Sequence, residues 1–152
     1  MRTPASIGRH PIHPMLVPIP IGLWIFSFIC DALFLLGSGA SVWYTLSFYT
    51  MIGGTIGGVI AAVPGFVDLF SLRQSVRRLA LAHMTVNLMI IGLYAINIGV
   101  RLEGAAIAGL PAALAGASIA LLMVSGWLGG EMVYVRGVGV STEDAARVGD
   151  GG

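Results

Sequence analysis

Four long apolar stretches, separated by short polar segments, dominate the pattern of the 152-residue chain. They cover roughly residues 15–36, 43–67, 80–100 and 106–130. Apolar residues run on without the strict alternation of a half-buried strand, so each stretch predicts a helix. About 20 apolar residues cross the roughly 30 Å hydrocarbon core of a bilayer, and each stretch is long enough to do so once. The pattern therefore predicts an all-α, four-helix transmembrane bundle.

No linker interrupts this pattern, so we expect one integral membrane domain over residues 1–152, with a short solvated tail at 131–152. The first apolar run is longer than the roughly 7–15 residues of a signal-peptide core, and we expect a retained helix. It begins within RHPIHPMLVPIPIGLW, residues 9–24, which contains four prolines. Because a residue before proline is disfavoured in the helical region, we expect an extended or irregular lead-in up to about Pro20.

Composition supports a membrane location. Hydrophobic residues make up 57% of the chain, charged residues only 10%, and the mean hydropathy is +0.91. Soluble domains carry about 25% charged residues, so the chain lacks a solvated surface. The net charge of +1 and the absence of a nucleic-acid motif exclude a nucleic-acid partner. The single cysteine, Cys30, excludes an internal disulfide and a CxxC site.

The arginines give the orientation. Seven of the eight lie at one side of the predicted helices, namely Arg2, Arg9, Arg73, Arg77, Arg78, Arg136 and Arg147. Only Arg101 lies at the other side. The positive-inside rule then predicts a multi-pass protein of the bacterial inner membrane with both termini in the cytoplasm.

The third predicted helix carries a polar stripe. At about 100° per residue, one face holds His83, Asn87, Tyr94, Asn97 and Arg101. Polar groups that face lipid are costly, so this face is expected to point into the bundle. We expect the two asparagines to make interhelical hydrogen bonds. Arg101 is expected to snorkel to the headgroups, with an ion pair to Asp31 as the alternative.

The second predicted helix carries small residues. Its segment GGTIGG, residues 53–58, contains the GxxxG pattern twice. This pattern permits close approach of another helix, either within the chain or from a partner.

All three histidines fall at the predicted cytoplasmic interface. His10 and His13 are three residues apart, which places them on one side of either a polyproline II segment or a helix. His83 begins the third helix, while Asp68 and Glu131 end the second and fourth. Three interpretations remain open, of which the first is an ordinary polar interface.

The other two interpretations are ligand sites. In one, His10, His13 and His83, together with Asp68 or Glu131, hold a first-row transition metal. In the other, His83 and His10 or His13 are the axial ligands of a b-type haem. Arginines such as Arg77 would neutralise the haem propionates, and Asn87 would lie beside the cofactor. No GxSxG, P-loop or HExxH motif is present, so we expect no catalytic activity of the chain's own.

Several stretches resemble a known family of small bacterial membrane proteins, "domain of unknown function 2231". These are HPIHPMLVPIPIGLW (10–24), PGFVDL (64–69), RRLALAHMTVN (77–87), NIGVR (97–101) and GGEMVYVRGVGV (129–140). The resemblance implies a four-helix inner-membrane bundle with no established activity. Some relatives are joined to Rieske iron–sulphur domains, which implies electron transfer. Relatives often have histidine where this chain has Pro18, so any ligand at that position is missing here.

Three functional hypotheses follow. The leading one is a redox-associated membrane protein that holds haem or a metal through His13 and His83, with His10 and Asp68 nearby. It requires that His13 and His83 converge, and it implies an electron-transfer partner. The alternative is a non-catalytic packing subunit of a larger membrane complex, which would use the glycine face of the second helix. A small transporter working through the polar stripe ranks last.

Overall fold

Four helical segments that are long and apolar enough to cross a membrane make up most of the chain. The computed structural model describes residues 4–8, 10–37 and 39–140. The helices are α1 (Ile12–Leu16), α2 (Pro18–Leu36), α3 (Ser41–Leu69), α4 (Gln74–Leu102) and α5 (Leu110–Gly130). Together α1 and α2 form the first span, and a π-helical turn, Glu131–Val135, continues α5 beyond its predicted end. The predicted all-α bundle of four transmembrane helices is confirmed.

The extended lead-in is shorter than the prolines predict. Two short antiparallel strands, β1 (Ser6–Ile7) and β2 (His10–Pro11), are followed directly by α1, so the expectation of an extended or irregular backbone up to Pro20 is wrong. Pro14 is the third residue of α1, and Pro18 begins α2. N–H groups in the first turn of a helix have no acceptor within that helix. Proline at these positions therefore removes no hydrogen bond.

The two ends of the bundle differ in charge. Arg73, Arg77 and Arg78, at the connection from α3 to α4, are exposed. We call this the arginine-rich end. Because the chain passes along the bundle four times, both ends of the described chain lie at this side.

A buried ion pair lies at the opposite end. Asp31 of α2 and Arg101 of α4 are each only 3% exposed, and both terminal nitrogens of the guanidinium donate to the carboxylate. Nη1 of Arg101 also donates to Oγ of Ser47 in α3, at 3.1 Å. Nε donates to Oδ1 of Asn97, whose Nδ2 donates to the Pro111 carbonyl in α5, each at 2.9 Å. This network joins all four spans.

Arg101 therefore does not snorkel, and that expectation is wrong. Its charge is compensated inside the bundle by Asp31, the partner that the sequence offered as the alternative. The interhelical hydrogen bond expected of Asn97 is confirmed, and the polar stripe of α4 faces the interior as predicted.

The middle of the bundle is closed by aromatic packing. The indole of Trp24 stacks on the ring of Tyr94, with ring centroids 4.9 Å apart and an angle of 9° between the planes. A Cβ atom placed on Gly54 or Gly58 would come within 2.6 or 2.8 Å of the Trp24 indole. The GGTIGG face of α3 thus accommodates a side chain of its own protein.

The network leads to a stability prediction. We expect Arg101→Ala to lower the free energy of unfolding by about 3–5 kcal/mol, because removing one partner leaves the buried Asp31 carboxylate unpaired. Arg136→Ala is the control, since it removes only the ion pair with Glu131 near the surface, at 3.2 Å. That loss is expected to stay below about 1 kcal/mol. Reversible unfolding in mixed detergent micelles measures both, and equal effects would contradict the assigned role of the network.

Candidate functional site

A cavity of about 350 Å³ lies between the spans in the arginine-rich half of the bundle. All four spans and the π-helical turn contribute to its lining, which is mainly apolar. The polar residues of the lining are His13, Asp68, His83, Asn87 and Ser125. Small-molecule sites commonly have this size and combine an apolar wall with a few polar groups.

The ring of His13 is fixed against α3. Its Nδ1 lies 2.7 Å from the carbonyl oxygen of Ala61. Pro64, inside α3, removes a backbone donor from this part of the helix. Gly65 leaves room for the imidazole, because a Cβ there would lie 2.9 Å from Nδ1 of His13. Gly65 of PGFVDL therefore makes room for the histidine ring, and Ala61 supplies the carbonyl oxygen that fixes it.

The ring of His83 is fixed between α4 and α5. Its Nδ1 donates to the carbonyl oxygen of Ser125 at 3.0 Å, and a Cβ on Gly129 would lie 3.3 Å from its Cε1. Its Nε2 accepts a hydrogen bond from Nδ2 of Asn87 at 3.1 Å. Oδ1 of Asn87 accepts in turn from Oγ of Ser125 at 3.0 Å, which confirms the expected interhelical bond. Both ring nitrogens of His83 are thus satisfied.

His13 and His83 face each other across the cavity. Their ring centroids are 6.4 Å apart and their planes are inclined by 87°, so the convergence predicted from the sequence is present. A metal held by both rings at about 2.0–2.1 Å from each nitrogen would place the centroids roughly 6 Å apart. The observed spacing of 6.4 Å is close to this value.

Asp68 is the acidic member of the predicted site that reaches the cavity. It lies at the end of α3, is 8% exposed, and accepts a hydrogen bond from the backbone N–H of Ala5 through Oδ1 at 2.8 Å. The carboxylate thereby ties the segment before β1 to the arginine-rich end of α3.

The other predicted site residues lie outside the lining. His10 is exposed on β2, Arg77 is exposed on α4, and Glu131 pairs with Arg136. The backbone changes from strand to helix between His10 and His13, so no single regular conformation relates the two. Within residues 4–8, 10–37 and 39–140, no three side chains of His, Cys, Asp or Glu come together in a way that could hold a metal ion.

Several residues that shape the cavity were not predicted. Gly65 and Gly129 make room for the two imidazoles, while Ala61 and Ser125 supply the carbonyl oxygens that fix them. Met132 and Val133 of the π-helical turn complete one wall, and π-helical turns are frequent at functional sites. The only sequence signal for these roles was the small size of the two glycines.

We expect Gly65→Ala to lower the free energy of unfolding by about 1–3 kcal/mol, because the new methyl group overpacks the fixed His13 ring. Gly116→Ala is the matched control, since a Cβ there meets no atom within 4 Å. It should stabilise the helix by up to about 1 kcal/mol. Nitrogen NMR of the His13 ring should show a change at Nδ1 only in Gly65→Ala, and an unchanged signal there would contradict the proposed role of Gly65.

The comparison with protein families agrees with this architecture. The family model described as "Predicted membrane protein (DUF2231)" matches residues 9–142. No curated protein and no solved structure matches the chain. Since the family model covers most of the sequence, the chain belongs to the DUF2231 family of predicted membrane proteins.

Proposed function

We propose that this protein binds a neutral, membrane-soluble small molecule in the cavity between His13 and His83. The observation that carries the proposal is the arrangement of the lining. Polar side chains gather at the arginine-rich end of the cavity, and apolar side chains line its deep end. A ligand with a small polar head and an apolar body would match both parts.

The depth of the cavity supports such a ligand. His83 and Ile91 both line it, and α4 rises about 12 Å between them at 1.5 Å per residue. Trp24 and Leu122 complete the deep end near the middle of the bundle. Burial of an apolar ring or chain against these side chains removes it from water, which is favourable.

The charge of the lining argues for a neutral head group. Among the lining residues that the structure describes, three side chains can ionise: those of the two histidines and that of Asp68. Neither arginine nor lysine lines the cavity in that part of the chain. An anionic head group would be buried there without a cation to pair with it, which is costly.

A b-type haem is a second candidate, and the spacing of the histidines favours it. Two axial imidazoles are a common way to hold haem iron, and each Nδ1 here is bonded to a backbone carbonyl, as is usual for metal-bound histidine. A porphyrin would supply the ligands that a bare metal ion lacks at this site. Haem binding requires the amide of Asn87 to release Nε2 of His83. A bare first-row metal receives less support, because the described residues offer no third ligand.

The packing-subunit hypothesis finds no support in the glycine face of α3. Gly54 and Gly58 already contact Trp24 of the same chain. A partner would have to use another surface. The arginine distribution supports placing the protein in the bacterial inner membrane with cytoplasmic termini, where topology reporters at each terminus would test it.

The ligand proposal can be tested by filling the cavity. Gly126 lines it, and a Cβ there meets no atom within 4 Å, so Gly126→Leu should occupy the space without distorting α5. Gly116→Leu is the matched control on the same helix, since a Cβ on Gly116 also meets no atom within 4 Å but Gly116 lies outside the lining. We expect mass spectrometry of organic extracts to find one neutral compound that is retained by the wild type and the control, and lost from Gly126→Leu. Identical extracts from all three proteins would contradict the proposal.

The haem candidate has its own measurement. If it is correct, purified protein supplied with haem should show a Soret band that His83→Ala removes and His10→Ala leaves intact. Asn87→Ala should strengthen binding, because it frees Nε2 of His83. A titration in which the protein leaves the spectrum of free haem unchanged would exclude this candidate and leave the neutral-ligand proposal standing.

A further inference from the structure

We propose that a hydroxyl group of the ligand donates a hydrogen bond to Nε2 of His13, and that the cavity therefore prefers a hydroquinone to the corresponding quinone. This inference rests on the proposed function, because it assigns the chemical class of the molecule in the same cavity. It follows from which polar atoms at the arginine-rich end still have a hydrogen bond to make.

The bonds to backbone carbonyls fix the proton positions on both histidines. A carbonyl oxygen only accepts, so Nδ1 of His13 must carry the proton that is donated to Ala61. The same argument places a proton on Nδ1 of His83, which donates to Ser125. In a neutral ring the other nitrogen, Nε2, then has a lone pair and can only accept.

The two Nε2 atoms differ in their surroundings. Nε2 of His83 already accepts from Asn87. Nε2 of His13 has no hydrogen-bond partner among the described residues. His13 is half-buried, and no carboxylate of the described residues lies within ion-pair distance of its ring. His13 therefore offers a free acceptor to the cavity.

The donors at this end of the cavity are already used. Asn87 donates one amide hydrogen to the carbonyl of His83, at 2.8 Å, and the other to Nε2 of that ring. The hydroxyl of Ser125 donates to Asn87. Asp68, as a carboxylate, adds acceptors only. Among the described residues, the polar side chains at this end of the cavity thus present acceptors without a free donor. The Nε1–H of Trp24 also lacks a partner among them, but it lies beside Gly54, about 10 Å deeper along α3 than Ala61.

A surface that offers only hydrogen-bond acceptors distinguishes a hydroquinone from the corresponding quinone. A hydroquinone brings O–H donors, which can bond to Nε2 of His13. A quinone brings carbonyl acceptors, which would face lone pairs and remain unpaired when buried. The loss of one buried hydrogen bond in this way corresponds to about a tenfold weaker affinity or more.

The test uses the full chain in phosphatidylcholine nanodiscs and three ring probes of nearly equal size. These are decylubiquinol, decylubiquinone, and the dimethyl ether of the quinol, which keeps the shape but has no O–H group. Equilibrium binding under anaerobic conditions gives a Kd for each. We expect the quinol to bind at least about tenfold more tightly than the other two.

Variants assign the preference to one nitrogen. His13→Phe should reduce the difference between the three probes to less than about threefold, while His10→Ala, at an exposed site outside the lining, should keep it. Nitrogen NMR of the wild type provides a measurement that does not depend on a variant, since the quinol but not its ether should shift Nε2 of His13.

A quinone or ether that binds as tightly as the quinol would overturn the inference but leave the neutral-ligand proposal intact. Failure of all three probes to bind would also overturn it. The extraction experiment with Gly126→Leu then decides separately whether another neutral compound occupies the cavity.

Discussion

The buried ion pair between Asp31 and Arg101 is the constraint on which the arrangement of the helices depends. A guanidinium in an apolar medium has to be compensated, so α4 cannot rotate or slide without leaving a charge unpaired. Ser47 and Asn97 extend this requirement to α3 and, through the Pro111 carbonyl, to α5. Hydrophobic burial does not discriminate between helix orientations in lipid, whereas directional bonds of this kind do.

The constraint acts at a distance because a helix is rigid and periodic. Arg101 and His83 are 18 residues apart, which is about five turns at 3.6 residues per turn. Holding Arg101 in the interior at one end of α4 therefore turns His83 to the interior at the other. Trp24 and Tyr94 fill the space between them, so the cavity is left only in the arginine-rich half.

The sequence predicted what depends on a single helix and left open what depends on two. Apolar runs gave the four spans, and the spacing of Asn87, Asn97 and Arg101 gave the inward face of α4. Periodicity could not say whether Arg101 pairs with Asp31 or reaches the headgroups, because that choice depends on how far α2 and α4 approach each other. The early start of α1 was missed because prolines, which interrupt a helix from within, are tolerated in its first turn.

In the candidate site, the sequence predicted that two side chains meet but not which hydrogen bonds they make. That His13 and His83 meet followed from their common depth in the membrane, but their different roles did not. His83 has both ring nitrogens bonded, whereas His13 retains a lone pair. This difference arises from Asn87, one turn away on the same helix, and from the carbonyls that Ala61 and Ser125 turn toward the rings. A haem between axial imidazoles would need a free lone pair from both histidines, while a hydroxyl donor needs only one. The hydrogen bonding around the pair, more than the distance across it, therefore decides which class of ligand the cavity favours.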